Sequence, residues 1–277
     1  MLMRCLLASV IVCAFFVVFS VSITVAAECR PENFGSWLEQ FKQEATGLGI
    51  SQQTIASALN GITYDPAIIA RDHSQSVFQQ GFEQFSGRMV SPDRLHKGAN
   101  MLKRYGSILE RIEDRYGVPA EVLVAIWGLE SDYGVNQGKY STIRSLATLA
   151  YDCRRPEKFR AELLDALRII ERGDLTSGQM IGAWAGEIGQ TQFLPSAYLK
   201  FAVDFEGYGH RDLIYSPLNA LASTANYLKS YGWTAGKPWT EGTPNFAALQ
   251  KWNESEVYAK TVAYFANRAC QRTLDSI

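Results

Sequence analysis

Glu130 closes an apolar run, Val122-Leu123-Val124-Ala125-Ile126-Trp127-Gly128-Leu129-Glu130, just before Ser131-Asp132-Tyr133-Gly134 turns the chain. Pro119 suits a first helical position, and Ile126 and Trp127 fall on the same helical face as Glu130, so the acid is expected against an apolar wall. Desolvation disfavours the charged carboxylate, and the negative end of the helix dipole acts in the same direction. A glutamic acid that keeps its proton near neutral pH is a general acid for a leaving oxygen. The same placement also suits a last-turn glutamate that bends back to water, and this segment alone leaves both readings open.

A second chemical string is Trp184-Ala185-Gly186-Glu187-Ile188-Gly189-Gln190-Thr191-Gln192-Phe193-Leu194-Pro195-Ser196. Gln190 and Gln192 beside Phe193 combine amide donors and acceptors with an apolar platform, the chemistry that holds hydroxyl and amide groups of a sugar. Such a string alone also reads as an ordinary loop.

The elements that must position these residues are helical. The helix signals are Ser51 to about Asn60, one long helix from Ser91-Pro92-Asp93 toward Tyr116, the Glu130 helix, Pro156 to about Arg172, and Ser216-Pro217 to Tyr231 before Gly232. In the Pro156 helix, Phe159, Leu163, Leu164, Leu167 and Ile170 form a core stripe. Residues 178–209 read as a loop-rich insert suited to a groove, and 234–245, rich in Gly, Pro and Thr, as a loop. The class is mainly α.

The 277 residues, 47% apolar and 20% charged, support a sizeable core, and a net charge of −1 without a basic cluster argues against nucleic acid as a partner. Residues 1–27 read as a secretory signal: Arg4, an uncharged run from Cys5 to Val25, and Val25-Ala26-Ala27 before Glu28. Export is expected, with retention of the run as a membrane anchor the alternative. Cleavage leaves Cys29, Cys153 and Cys270, enough for one disulfide and a spare thiol; Cys29 with Cys270 would tie the termini together. His73, His96 and His210 are isolated and match no zinc spacing.

The chain resembles the lytic murein transglycosylase B family. The resemblance rests on Glu130-Ser131 with Tyr133-Gly134, on Gly186 through Ser196, on Ala202-Val203-Asp204-Phe205 with Gly209-His210 and Asp212-Leu213, on Ala225-Asn226-Tyr227-Leu228 with Gly232-Trp233, and on Trp252-Asn253 with Ser255 and Tyr258. It implies a lysozyme-like helical catalytic domain with a smaller helical lobe and a glycan groove between them. The catalytic region would be 28–277, with a core at about 90–235 completed by flanking segments.

The resemblance further implies that Glu130 is catalytic and that Ser131, Tyr133, Gln190, Gln192, Phe193, Trp252, Asn253 and Tyr258 bind substrate. The family cuts the β-1,4 bond between N-acetylmuramic acid and N-acetylglucosamine in peptidoglycan, closing the muramyl 6-hydroxyl on its own anomeric carbon. A monomer acting in the periplasm on glycan strands, without a cofactor, is implied. A hydrolytic muramidase and a non-catalytic peptidoglycan-binding protein are the rival readings.

Two departures stand out. Ala183 replaces a serine thought to orient the acid in many relatives, which leaves that task to Asn253, to the backbone around Glu130, or to burial. An EF-hand-like metal loop of some relatives falls on 204–212, but Tyr208 and Tyr215 stand where acids are expected, so no metal is expected and Asp204, Glu206 and Asp212 read as turn residues. Asp132 should point to another face of the helix end, and Glu187 is the remaining candidate for a second carboxyl group.

Overall fold

Serine and proline set most helix starts in this protein, a computed structural model described over residues 31–74 and 80–274, with 270–274 as backbone only. The expected secretory signal and the expected Cys29–Cys270 bridge lie outside the described residues. Cys153, the thiol which that bridge would have left spare, is disulfide-bonded.

A 3-10 turn, Pro31–Asn33, leads into α1 (Phe34–Gly47), α2 (Gln52–Leu59), α3 (Pro66–Ser74) and α4 (Phe82–Met89). Next come α5 (Pro92–Arg104), α6 (Gly106–Tyr116) and α7 (Ala120–Ser131), the helix that carries Glu130. The strand β1 (Tyr140–Ser141) precedes α8 (Thr142–Tyr151) and α9 (Pro156–Glu171), and it pairs antiparallel with β2 (Ile181–Gly182). The chain continues through α10 (Pro195–Phe201), α11 (Pro217–Ser230), α12 (Pro244–Trp252) and α13 (Glu256–Leu274). The mainly α class expected from the sequence holds.

The side chains of Ser51, Ser91, Ser141 and Ser216 each accept a backbone N–H three residues on, which satisfies one orphan donor of the helix that follows. Pro92, Pro156, Pro195, Pro217 and Pro244 occupy first turns, where a missing N–H costs nothing.

Two expectations are corrected. The single helix from Ser91 to Tyr116 is two helices, parted at Tyr105 (φ −106°, ψ 12°), because Gly106 weakens the helix there. Tyr105 packs its ring edge-on against Trp127 at 5.6 Å, a tertiary contact that fixes the bend. The insert 178–209 is not loop throughout: Leu194-Pro195 opens α10, whose Tyr198 and Phe201 are buried. In the 234–245 loop, Asn245 accepts from Thr234 N–H and donates to Thr234 and Lys237 carbonyls, so a polar side chain closes it.

The apolar residues gather into two cores. One joins α1, α2, α8, α9 and α10 through Phe41, Leu59, Ile143, Leu163, Leu167 and Phe193. The other joins α5, α6, α7, α11, α12 and α13 through Leu109, Ile112, Leu123, Ile126, Trp127 and Phe265. Each large side chain so buried contributes about 1.5–3 kcal/mol. Tyr227 and Trp252 pack against both cores.

Candidate active site

α7 is buried on nearly every side, from Val122 through Leu129 and at Ser131, which explains its apolar sequence: it is a central helix, not an amphipathic surface one. It ends in an unusual turn. Asp132 (φ 50°) and Tyr133 (φ 64°) are both left-handed, followed by Gly134 (φ 84°). The strain is held by contacts on three sides. The Asp132 carboxylate meets Lys97 at 3.1 Å and Arg94 at 3.4 Å, and the Tyr133 hydroxyl donates to the Arg94 carbonyl at 2.6 Å. Gly128 leaves room for the Tyr133 ring, which would lie 2.8 Å from any Cβ there. Asp132 therefore points away from Glu130, as expected.

The opposite wall is built by residues 181–193. Gly182 has the Glu187 carbonyl 1.7 Å from where a Cβ would stand, and Gly186 (φ 93°) presses on Leu146, so two glycines let this segment fold tightly on itself. Ile188 and Phe193 exchange backbone hydrogen bonds at 2.7 and 3.0 Å, closing the Gly189–Gln192 turn between them. Gln192 (φ 54°) donates its amide to the carbonyls of Gly189 and Gln137, which fixes a left-handed residue in place.

Between these walls lies a cavity of about 410 Å³ lined by Glu130, Ala183, Glu187, Gln192, Phe193, Leu194, Ala197, Tyr227, Trp252 and Asn253. The apolar wall beside Glu130 is therefore supplied by Phe193, Leu194, Tyr227 and Trp252. Ile126 and Trp127 are not part of it, and Trp127 turns its indole N–H to Gln190 at 3.0 Å. Phe193, Tyr227 and Trp252 stand edge to face, with centroids 5.0–6.2 Å apart.

Glu130 Oε1 accepts two hydrogen bonds, from the Tyr258 hydroxyl at 2.5 Å and from Trp252 Nε1 at 3.1 Å. Burial pushes the acid up to about 7, opposed by those two donors and assisted by the nearby charge of Glu187. Burial, with Glu130 beside it, pushes the Tyr258 phenol well up, so it remains a donor. The orienting groups are thus Trp252 and Tyr258, which fill the role left open at Ala183; Asn253 spends its Oδ1 on the Ser255 N–H.

Of the residues expected to bind substrate, Gln192, Phe193, Trp252 and Asn253 line the cavity with Glu130. Tyr258 reaches the site through Glu130 rather than lining the cavity. Ser131, Tyr133 and Gln190 do not line it. Ser131 donates to the Gln190 carbonyl at 2.5 Å and accepts from Gly134 N–H, and the Gln190 amide bridges Trp127 and the Ile214 carbonyl. These polar groups bolt the end of α7 to the opposite wall. Sequence reasoning missed Tyr227, although it stands in one of the matched blocks, and Leu194 and Ala197 carried no chemical signal; Ala183, singled out as a departure, does line the cavity.

The 204–212 loop does not fit a cation. Asp204 accepts the N–H groups of Gly207, Tyr208 and Gly209, Asp212 accepts those of Ile214 and Tyr215, and Glu206 faces Arg111 at 3.4 Å. Tyr208 and Tyr215 are exposed rather than turned inward as ligands. Among the described residues, Asp72, His73 and Asp152 come close enough to chelate, but buried Asp72 is already paired with Arg154 and Arg155. His73 lies 3.6 Å from Asp152, so it is not as isolated as the sequence suggests.

Comparison with known proteins gives this geometry a context. The transglycosylase SLT domain family matches residues 33–242. The chain is 36% identical over 154 residues to the membrane-bound lytic murein transglycosylase B of Escherichia coli strain K12, a match covering 55% of this chain and 42% of that protein. SltB3 from Pseudomonas aeruginosa, in complex with NAG-anhNAM-pentapeptide, superposes with a TM-score of 0.81 at 37% identity, over 86% of this chain and 79% of that one. The Escherichia coli lytic transglycosylase Slt35, in complex with calcium, gives 0.76 at 25% identity, over 86% and 93% of the two chains. The fold is that of the lysozyme-like lytic transglycosylases.

Proposed function

The chain belongs to the transglycosylase SLT domain family, and from that premise we propose that it is a peptidoglycan lytic transglycosylase in which Glu130 acts first as acid and then as base. The observation that carries this reading is Glu130 itself, a half-buried acid at the cavity that burial pushes up to about 7 and that Trp252 and Tyr258 aim.

Protonated Glu130 gives its proton to the oxygen that links C1 of N-acetylmuramic acid to O4 of N-acetylglucosamine. That C1–O bond breaks, and N-acetylglucosamine leaves with a 4-hydroxyl. The muramyl 6-hydroxyl then bonds to C1 while its proton passes to the Glu130 carboxylate, which restores the acid and yields a 1,6-anhydro ring. Phe193, Tyr227 and Trp252 offer apolar ring faces to the sugars, and Gln192 and Asn253 supply polar edges. Water is the competing nucleophile, and a sugar filling the cavity displaces it. The ligand of the Pseudomonas aeruginosa relative, NAG-anhNAM-pentapeptide, contains such an anhydro sugar.

The residue assignments extend this reading. Gln192, Phe193, Trp252 and Asn253 contact glycan; Tyr258 positions Glu130; Ser131, Tyr133 and Gln190 support the walls. The protein is exported to the periplasm as a monomer. Among the described residues no helix is long and apolar enough to cross a membrane.

Digestion of purified sacculi by the wild type and by Glu130→Gln, with mass spectrometry of the products, tests the proposal. Anhydromuramyl ends, one water lighter than hydrolysed ends, are expected from the wild type and none from the variant, which should still bind sacculi. Reducing ends would identify a hydrolytic muramidase, and binding without any cleavage a non-catalytic protein.

A further inference from the structure

Glu187 is the second acid in the cavity wall, and the single-acid reaction does not use it. Its placement is built. Gly182 and Gly186 permit the close turn that carries it, and its Oε2 accepts the Ala185 N–H at 3.1 Å. No lysine or arginine lines the cavity with it, and no ion pair is formed by either cavity acid among the described residues that would cancel the charge. A carboxylate kept in a sugar-sized cavity without a salt bridge is costly unless its charge is used.

We propose that Glu187 is a second functional carboxylate of this site, a negative charge in the cavity wall that stabilises the positive charge developing at the anomeric carbon while Glu130 delivers its proton. The inference rests on the transglycosylase reading of the site. Glu187 forms no bond in it: the C1–O bond breaks, positive charge spreads over C1 and the ring oxygen, and Glu187 opposes it electrostatically until the 6-hydroxyl closes.

The electrostatics are consistent in direction. Burial pushes Glu187 up, but the N–H groups of Ala185 and of Glu187 itself and the charge of Lys158 favour its ionised form, against Glu162. Like-charge repulsion from Glu187 pushes Glu130, which also faces Tyr258 and Trp252, further up, so a charge on Glu187 helps keep the proton on Glu130.

Wild type, Glu187→Gln and Glu187→Asp are compared on purified sacculi by kcat, KM and pH profile. Gln preserves the acceptor for Ala185 N–H, so folding and KM should be kept while kcat falls by about a hundredfold. The basic limb of the profile, which reports deprotonation of Glu130, should move to lower pH, because removing the neighbouring charge eases that deprotonation. Glu187→Asp should hold the limb near its wild-type position. An unchanged kcat and limb in a folded Glu187→Gln overturn the inference alone, whereas a wild type that cleaves no sacculi overturns the reading of the whole site. Carbon-13 NMR of the wild type labelled at glutamate needs no variant to fold: Glu187 should titrate before Glu130, and the reverse order would refute the proposal.

Discussion

The Tyr258 hydroxyl donates to Glu130 Oε1 at 2.5 Å, across 128 residues of sequence, and so ties the last helix to the acid at the end of α7. The bond favours the ionised acid, opposing burial. Tyr258→Phe should therefore push Glu130 further up and move the basic limb of the pH–rate profile to higher pH, with kcat lowered about tenfold by the lost orientation. A limb that stays in place would show that the phenol does not act on the acid.

Trp252 contributes in two ways, through its N–H to Glu130 and through a ring packed against Phe193 and Tyr227. Trp252→Phe keeps an aromatic face but no donor. Stability should drop by about 1–3 kcal/mol, KM should rise severalfold, and the basic limb should again move up. Thermal unfolding together with steady-state kinetics on solubilised glycan separates these effects.

Glu130 also links pH to stability. Its ionisation is pushed up to about 7 in the folded state from an ordinary value of 4.5, so the folded protein binds the extra proton. The stabilisation is fully present below about pH 4.5 and is lost as pH rises through about 7, an effect on the order of 3 kcal/mol. Glu130→Gln removes it. The variant should unfold at a higher temperature than the wild type at pH 8, with the difference vanishing near pH 4; equal melting temperatures at both values would contradict the burial of the acid.

At Gly182 a Cβ would stand 1.7 Å from the Glu187 carbonyl, backbone that cannot swing aside. Gly182→Ala should cost roughly 1–3 kcal/mol or more and abolish cleavage by displacing Glu187 and the turn that follows. Circular dichroism melts and sacculus digestion check this, with Gly178→Ala as a control, since nothing lies within 4 Å of a Cβ there.

Much of the scaffold was legible locally. Ser-Pro starts, the Phe159 to Ile170 stripe and the glycine ends are short-range signals, and they placed helices that the structure retains. The break at Tyr105 was only half legible: Gly106 stands in the sequence as a weak point, but the ring contact with Trp127 that fixes the bend there comes from another helix. Ser131 and Gln190 illustrate the same limit at the site. Both sit in the most chemical stretches of the sequence, yet they bond to each other and to buried neighbours, and a one-dimensional pattern does not say which way a side chain faces.

By itself, the sequence determined a mainly α chain, an apolar helix ending in Glu130, and a glycine- and glutamine-rich segment able to face it. These follow from periodicity, capping and turn chemistry, which act over a few residues. The tertiary structure alone decided that Trp252 and Tyr258 orient the acid, that Tyr227 joins the wall, and that Glu187 shares the cavity. Those contacts join residues 57 to 128 positions from Glu130, and only the packing of two cores against each other brings them within reach of a hydrogen bond or a charge.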